Sequence, residues 1–185
     1  MRGLWQAAAL FATVIACSAA ENNGFAWEPP RSEAGVYTAD LGMLDAERDE
    51  YATNMASYAS NQVITAKASP DSLKAARRLL GVALQISPRN KRAVVVCFQL
   101  AKGVMPEAQA GEYGAQAFAR LLLSRGQLLA KQGGDQNLRL ARCFIQLAAE
   151  IDPKNEDAVY AAEIQRLDHG ELDWSSVTDT PAKKP

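Results

Sequence analysis

Residues that carry most enzyme chemistry are scarce in this sequence. Its 185 residues include three cysteines and one histidine, His169, which falls in an expected turn. Zinc sites and histidine-based nucleophilic triads need several such groups together. A phosphate-binding glycine loop would have to follow a strand, and no strand is predicted. We therefore expect no catalytic site, no metal and no cofactor, although two carboxylates could still meet in the folded chain.

An excess of positive charge is also missing. Lysine and arginine together number 20, and aspartate and glutamate number 21. Proteins that bind DNA or RNA present a basic patch, whereas the densest basic run here is the short segment Arg89–Arg92. We interpret that run as the solvated start of a helix and expect no nucleic-acid partner.

Patterns typical of β-strands are absent as well, because no stretch alternates β-branched and polar residues between hairpin turns. Apolar residues instead recur every three to four positions from about Asp40 to Asp168, as in amphipathic helices. The first predicted helix, Leu44–Ala66, has one apolar face: Leu44, Tyr51, Met55, Tyr58 and Val63. Four residues are expected to cap helix N-termini: Ser69, Asn90, Asp135 and Asn155. The predicted fold class is all-α.

Two of the three cysteines, Cys97 and Cys143, lie inside predicted helices among apolar neighbours. Free cysteine is one of the most buried residue types, which favours core packing. In an exported protein the two could instead form a disulfide, provided that their Cα atoms come within bonding distance.

The N-terminus has the order of an export signal, in which positive charge is followed by an apolar run and then by small residues. Met1-Arg2 precedes the apolar run Leu4–Ala16, and small residues follow from Cys17 to Ala20. A helix of that length spans only about 20 Å, too short to cross a bilayer comfortably. A cleaved signal peptide at residues 1–16 is therefore predicted.

The segment Val14–Cys17 resembles the bacterial lipobox, although leucine is commoner than valine at its first position. The resemblance implies that Cys17 is lipidated and becomes the mature N-terminus, and acyl chains would anchor the protein to a membrane. The alternative is ordinary cleavage after Ala20, with Ser18 and Ala20 as the small pair, which would give a soluble periplasmic or secreted protein. Either way we expect export to the periplasm or cell envelope.

Composition divides the mature chain into three parts. Residues 17–40 contain Asn-Asn-Gly and Pro-Pro and lack a helical or strand period, so they are interpreted as a tether. Its aromatic residues, Phe25, Trp27 and Tyr37, either dock on the domain or form a recognition peptide. Residues 41–174 form the helical domain, and residues 175–185 are expected to be a disordered tail. Trp174 could cover the last helices.

The chain repeats itself at an interval of 65 residues. The superposed pairs are Leu73 with Leu138, Ala76 with Ala141, Arg77 with Arg142, Leu80 with Ile145, Ala83 with Ala148, Ile86 with Ile151, Pro88 with Pro153, Asn90 with Asn155, and Ala93 with Ala158. One helix with a small-residue seam, followed by a proline-asparagine turn and a second helix, is therefore used twice.

This pattern resembles the tetratricopeptide repeat, a helix-turn-helix unit of about 34 residues. The residues that match its packing positions are Ala76, Leu80, Ala83, Pro88, Gly126, Leu129, Ala141, Ile145, Ala148 and Pro153. The interval of 65 differs from two such repeats, and the helix after Pro88 lacks the family's large residue and glycine. An antiparallel bundle with alanine seams would also give this pattern. The resemblance implies antiparallel α-hairpins stacked as a short right-handed superhelix.

In the tetratricopeptide family, first helices line a concave groove that grips peptides. Ten residues would face such a groove here: Asn90, Arg92, Val95, Gln99, Arg120, Leu123, Gln127, Asn155, Asp157 and Tyr160. The resemblance thus implies a non-catalytic protein-interaction module or scaffold of the bacterial cell envelope, with a protein partner. The alternatives are a structural subunit that self-associates and an enzyme that uses carboxylates.

The mature N-terminus distinguishes the two cleavage sites. In a bacterial host the protein is expected to lose residues 1–16 and to carry a diacylglyceryl group on Cys17, because the apolar run ends at the lipobox. Intact-mass spectrometry of the purified protein measures this directly. A mass that matches residues 21–185 would show ordinary cleavage after Ala20, and the mass of the uncut chain would contradict export.

Overall fold

A computed structural model describes residues 24–31, 36–109 and 114–179 of the chain. Within these ranges it has seven helices and no strand, which confirms the predicted all-α class. The helices are α1 (Asp45–Thr65), α2 (Pro70–Ile86), α3 (Lys91–Ala101), α4 (Ala115–Gln132), α5 (Asp135–Ile151), α6 (Glu156–His169) and α7 (Ser175–Thr178). None of the described helices is long and apolar enough to cross a membrane. The predicted signal peptide and Cys17 lie outside the described residues.

The 65-residue repeat is present in the backbone. Helices α2 and α5 begin 65 positions apart, and so do α3 and α6. The turn residues Ser87 (φ −139°, ψ 84°) and Asp152 (φ −131°, ψ 82°) have matching conformations. Each turn is closed by the same backbone hydrogen bond, from Asn90 N to Ser87 O at 3.0 Å and from Asn155 N to Asp152 O at 2.9 Å. We therefore divide the helices into a first unit, α1–α3, and a second unit, α4–α6.

Three of the four predicted N-caps are confirmed. The side chains of Ser69, Asn90 and Asn155 each accept a hydrogen bond from the backbone N–H three residues on. The prediction was wrong for Asp135, which is the first residue of α5 rather than its cap. Gly134 occupies the cap position with φ 85°, a left-handed conformation that glycine adopts without steric cost.

The small-residue seams of α2 and α5 lie in the core, as the repeat predicts. Ala76, Leu80, Ala83, Leu129, Ala141, Ile145 and Ala148 are all at most 3% exposed. Pro88 and Pro153 are exposed in the turns that follow α2 and α5. Leu138 was wrongly placed on the seam, because it is 46% exposed beside His169 at a small open cavity. Its counterpart Leu73 is 8% exposed.

Within the first unit, helix α1 lies on the side that faces the second unit. On one side it packs against α2 and α3. On the other side, the Tyr51 ring stacks on Phe144 of α5 with centroids 5.2 Å apart, and Tyr58 contacts Phe118 of α4 at 6.5 Å. The apolar positions of α1 that are buried completely are Ala52, Met55, Ala56, Ala59 and Val63. The predicted apolar face of α1 is therefore confirmed except at Leu44, which is 77% exposed because it precedes the helix as its N-cap.

Much of the predicted tether belongs to the fold. The Trp27 indole donates a hydrogen bond to Leu73 O at 3.0 Å, and Tyr37 is only 6% exposed. Phe25 also packs against the core. The interpretation of residues 17–40 as a spacer is therefore wrong for the described part, and the alternative that its aromatic residues dock on the domain is confirmed. Residues 17–23 and 32–35 lie outside the described residues.

The first part of the predicted disordered tail is folded against α2. Helix α7 buries Val177, whose carbonyl accepts a 2.8 Å hydrogen bond from Gln85 Nε2. The Arg77 guanidinium pairs with Asp179 at 2.5 Å, and Arg31 N donates to Thr178 O at 2.7 Å. The two ends of the described chain therefore meet on α2. Residues 180–185 lie outside the described residues.

Trp174 lies against α2. Its ring lies 5.0 Å from the Arg78 guanidinium, a cation–π distance, and the ring packs partly against the core. We expected it behind the last helices, but the segment after α6 crosses back to the first unit.

Cys97 and Cys143 are both free and buried, so the disulfide alternative is not formed. Desolvation raises the pKa of each thiol to about 12. Both thiols are therefore protonated at neutral pH and behave as small apolar side chains.

Deletion of residues 175–185 should destabilise the protein, because it exposes the core around Val177 and leaves the buried Gln85 amide without its acceptor. We expect a loss of about 2–4 kcal/mol in the free energy of unfolding. Urea denaturation followed by circular dichroism measures it. The matched control, deletion of residues 180–185, keeps Val177 and Asp179 and should match the full chain. Equal stability of the two deletions would contradict a folded α7.

Candidate functional site

An open groove of about 910 Å³ lies between α4 and α6. We call it the α4–α6 groove. Its apolar part consists of Leu123, Ile145, Ala161 and Ile164. Its polar part consists of Gln116, Arg120, Ser124, Gln127, Asp152, Lys154, Asn155, Asp157, Tyr160 and Gln165.

Helical spacing explains how these side chains come together. On α4, residues 116, 120, 123 and 127 lie three to four positions apart and so share one face. Residues 157, 160, 161, 164 and 165 do the same on α6. Between the two helices Ile145, which is 3% exposed on α5, closes the bottom of the groove. Two amphipathic helices therefore form the walls and the buried seam of α5 forms the floor.

The structure brings six of the ten sequence-predicted residues together. Arg120, Leu123, Gln127, Asn155, Asp157 and Tyr160 all line the α4–α6 groove. The remaining four, Asn90, Arg92, Val95 and Gln99, lie at the start of α3 or on it and do not line the groove. The expected surface is not continuous, because a stretch that is non-helical where it is described separates α3 from α4.

The four predicted residues at the start of α3 and on it differ in how far their side chains are exposed. Asn90 is 3% exposed, and its amide is committed to α1. Arg92 is partly buried, and desolvation lowers its pKa. Val95 is 42% exposed and Gln99 is half-buried. Asn90 therefore supports the fold rather than presenting a contact surface.

Asn90 and Asn155 occupy equivalent positions of the repeat but make different contacts. In the first unit, Asn90 Nδ2 donates to Thr53 Oγ1 at 2.8 Å and to Asp49 O at 3.1 Å, which joins the start of α3 to α1. In the second unit, Asn155 caps α6 through Ala158 N at 3.1 Å and lines the groove. The second unit consequently has an accessible cleft between its first and third helices.

Sequence reasoning missed several groove residues: Gln116, Ser124, Asp152, Lys154, Ala161, Ile164 and Gln165. The first two share a helical face with Arg120 and Gln127, so the spacing on α4 could have identified them. Ile145 was predicted as a packing residue. Its side chain lies between the core and the groove, so it both packs in the core and lines the groove.

The groove offers hydrogen-bonding groups of both kinds. Four amides, from Gln116, Gln127, Asn155 and Gln165, can each donate and accept. The Tyr160 side chain is 70% exposed. Positive charge on Arg120 and Lys154 is balanced by Asp152 and Asp157, so the groove carries no net preference for one sign of charge. Such a surface suits a chain with alternating donors and acceptors and occasional apolar groups.

Among the described residues, no group of three or more His, Cys, Asp and Glu side chains is placed to hold a metal ion. No family model, no curated protein and no solved structure matches the chain.

Proposed function

We propose that the chain is an exported, non-catalytic protein-binding module or scaffold of the bacterial cell envelope, whose α4–α6 groove holds an extended segment of a partner protein. The observation that carries this proposal is the convergence of six residues, anticipated from the tetratricopeptide resemblance, on one groove with an apolar floor.

The chemistry of the groove supports a polypeptide as the ligand. An extended backbone presents N–H and C=O groups at every residue, about 3.3 Å apart. Side-chain amides such as Gln127 and Gln165 can pair with both groups. Leu123, Ile145 and Ile164 would receive an apolar side chain of the partner. Main-chain hydrogen bonds then provide affinity, and the apolar floor selects the segment.

The position of Trp27 bears on the scaffold role. If Cys17 carries the lipid, Trp27, which is docked on α2, follows the anchor by ten positions in the sequence. A fully extended chain reaches at most about 35 Å over ten positions. The domain would thus be held close to the membrane surface, and its partner would have to approach within that distance.

Self-association is the second candidate, favoured by one observation. Helix α3 exposes three apolar side chains, Val94, Val95 and Phe98, and Phe98 is 64% exposed. A dimer through this face would give a concentration-dependent mass in size-exclusion chromatography with light scattering. A monomer at all concentrations would leave the groove as the interaction surface. Carboxylate chemistry, the third hypothesis from the sequence, would need two carboxylates in a deep pocket, whereas the α4–α6 groove is open and of mixed polarity.

Site-specific photo-crosslinking tests the groove. Replacement of Tyr160 by p-benzoylphenylalanine should give a discrete protein adduct in envelopes of the native host, because the side chain projects from the groove. The same probe at Leu128, which is exposed on α4 but does not line the groove, is the matched control.

The adduct at position 160 should fall severalfold when Arg120 and Gln127, both exposed, are changed to alanine. Equal adducts at positions 160 and 128, or a yield that the alanine changes do not alter, would contradict binding in the groove.

A further inference from the structure

One face of helix α3 is exposed along the whole length of the helix. We call it the α3 face, and its exposed residues are Lys91, Val94, Val95, Phe98, Ala101 and Lys102. These positions recur at steps of three to four residues, so they form one stripe along the helix. The opposite side of α3 is buried in the core through Ala93, Val96, Cys97 and Leu100.

The α3 face is apolar in the middle and positively charged at both ends. Val94, Val95 and Phe98 are between 42% and 64% exposed. Single exposed apolar side chains are common, whereas a contiguous group of them indicates an interaction surface. Lys91 and Lys102 belong to none of the ion pairs found between described residues. The Lys102 ammonium lies 5.8 Å from the centre of the Phe98 ring, so positive charge adjoins the apolar surface directly.

The 65-residue repeat allows α3 to be compared with the equivalent helix of the second unit. Residues 89–106, which contain α3, include four basic side chains and no acidic one. The equivalent residues 154–171, which contain α6, include two basic and five acidic side chains. The positions that differ most in charge are Lys91 and Glu156, Arg92 and Asp157, and Phe98 and Glu163. Equivalent helices of the two units therefore present surfaces of opposite charge, and only the first is basic.

An exposed apolar stripe with lysine at both ends is complementary to the surface of an anionic bilayer. Amphipathic helices that lie on membranes bury their apolar face at the boundary between headgroups and acyl chains. Lysine side chains beside that face keep their aliphatic part in apolar surroundings and their ammonium group in water, where anionic headgroups attract them. A second copy of the chain is a poorer match, because a two-fold interface would bring the same basic side chains together.

We propose that the α3 face lies on the surface of a bilayer that carries anionic phospholipid headgroups. The inference rests on the cell-envelope location proposed above, where a lipid on Cys17 would hold the domain close to a membrane. Contact through α3 adds a second, weaker attachment and determines which side of the domain faces the bilayer. No residue of the α3 face lines the α4–α6 groove, so membrane contact and partner binding use different side chains.

Vesicle flotation tests the proposal on residues 18–185, which keep every described residue and lack both the N-terminal apolar run and Cys17. The probes are vesicles of phosphatidylcholine mixed with phosphatidylglycerol, and vesicles of phosphatidylcholine alone. The variants Lys91→Glu and Phe98→Glu give α3 the acids that α6 has at the equivalent positions. The matched controls, Lys131→Glu on α4 and Leu167→Glu on α6, make the same kinds of change at exposed positions outside the α3 face.

The parent chain should float with the anionic vesicles and should bind phosphatidylcholine alone much more weakly. Added salt should release it, because salt screens exposed charges. Each α3 variant should lower the partition coefficient about tenfold or more, since it removes a lysine or an apolar side chain and adds a negative charge next to the anionic surface. Both control variants should bind as the parent does.

Absence of binding to the anionic vesicles would overturn the proposal, and so would equal binding to both kinds of vesicle or an equal loss in the control variants. Light scattering on the same samples tests the other occupant of this face. A parent chain that dimerises without binding vesicles, and becomes monomeric with Phe98→Glu, would assign the α3 face to self-association instead. The flotation assay contains no partner protein, so its failure leaves the crosslink at Tyr160 unaffected, and loss of that crosslink leaves vesicle binding unaffected.

Discussion

The close approach of α4 and α5 at Gly126 is the contact on which the second unit depends. A Cβ atom at this position would lie 2.7 Å from Ile145 Cγ1 and 3.2 Å from Ala141 O. The absence of a side chain at Gly126 therefore lets the two helices approach closely. It also leaves the space that the Ile145 side chain occupies against α4. Because Ile145 is also the floor of the α4–α6 groove, one packing contact connects the small-residue seam to the candidate binding surface.

The two units show how a repeated sequence can give two different surfaces. The turn geometry, the asparagine cap of the third helix and the buried alanine seam are the same in both. They differ in what the third helix meets: Asn90 joins α3 to α1, whereas Asn155 leaves space between α6 and α4. The first unit is further covered by α7 and the segment around Trp27. The first unit is thus covered by other parts of the chain, whereas the second unit has an open cleft between α4 and α6.

Local signals in the sequence were sufficient to predict the helices, three of the N-caps and the buried seam. Helical periodicity and capping both depend on residues only a few positions apart. Six groove residues were named only through the resemblance to the tetratricopeptide repeat, which implies which helix faces line a groove. Long-range docking was not predictable: nothing near Val177 or Trp27 in sequence indicates that both pack on α2. The spatial separation of Asn90 and Val95 from the groove depends on the segment between α3 and α4, whose described residues, 102–109 and 114, are not helical.

The free energy of unfolding of Gly126→Ala tests most directly whether the close helix contact organises this fold. Steric conflict with Ile145 should reduce it by about 1–3 kcal/mol, measured by urea denaturation. Gly114→Ser is the control, since a Cβ there meets nothing within 4 Å and serine is a good N-cap, and its stability should be unchanged. If Gly126→Ala were instead more stable, as the helix propensity of alanine alone would give, the contact would not have the role assigned to it.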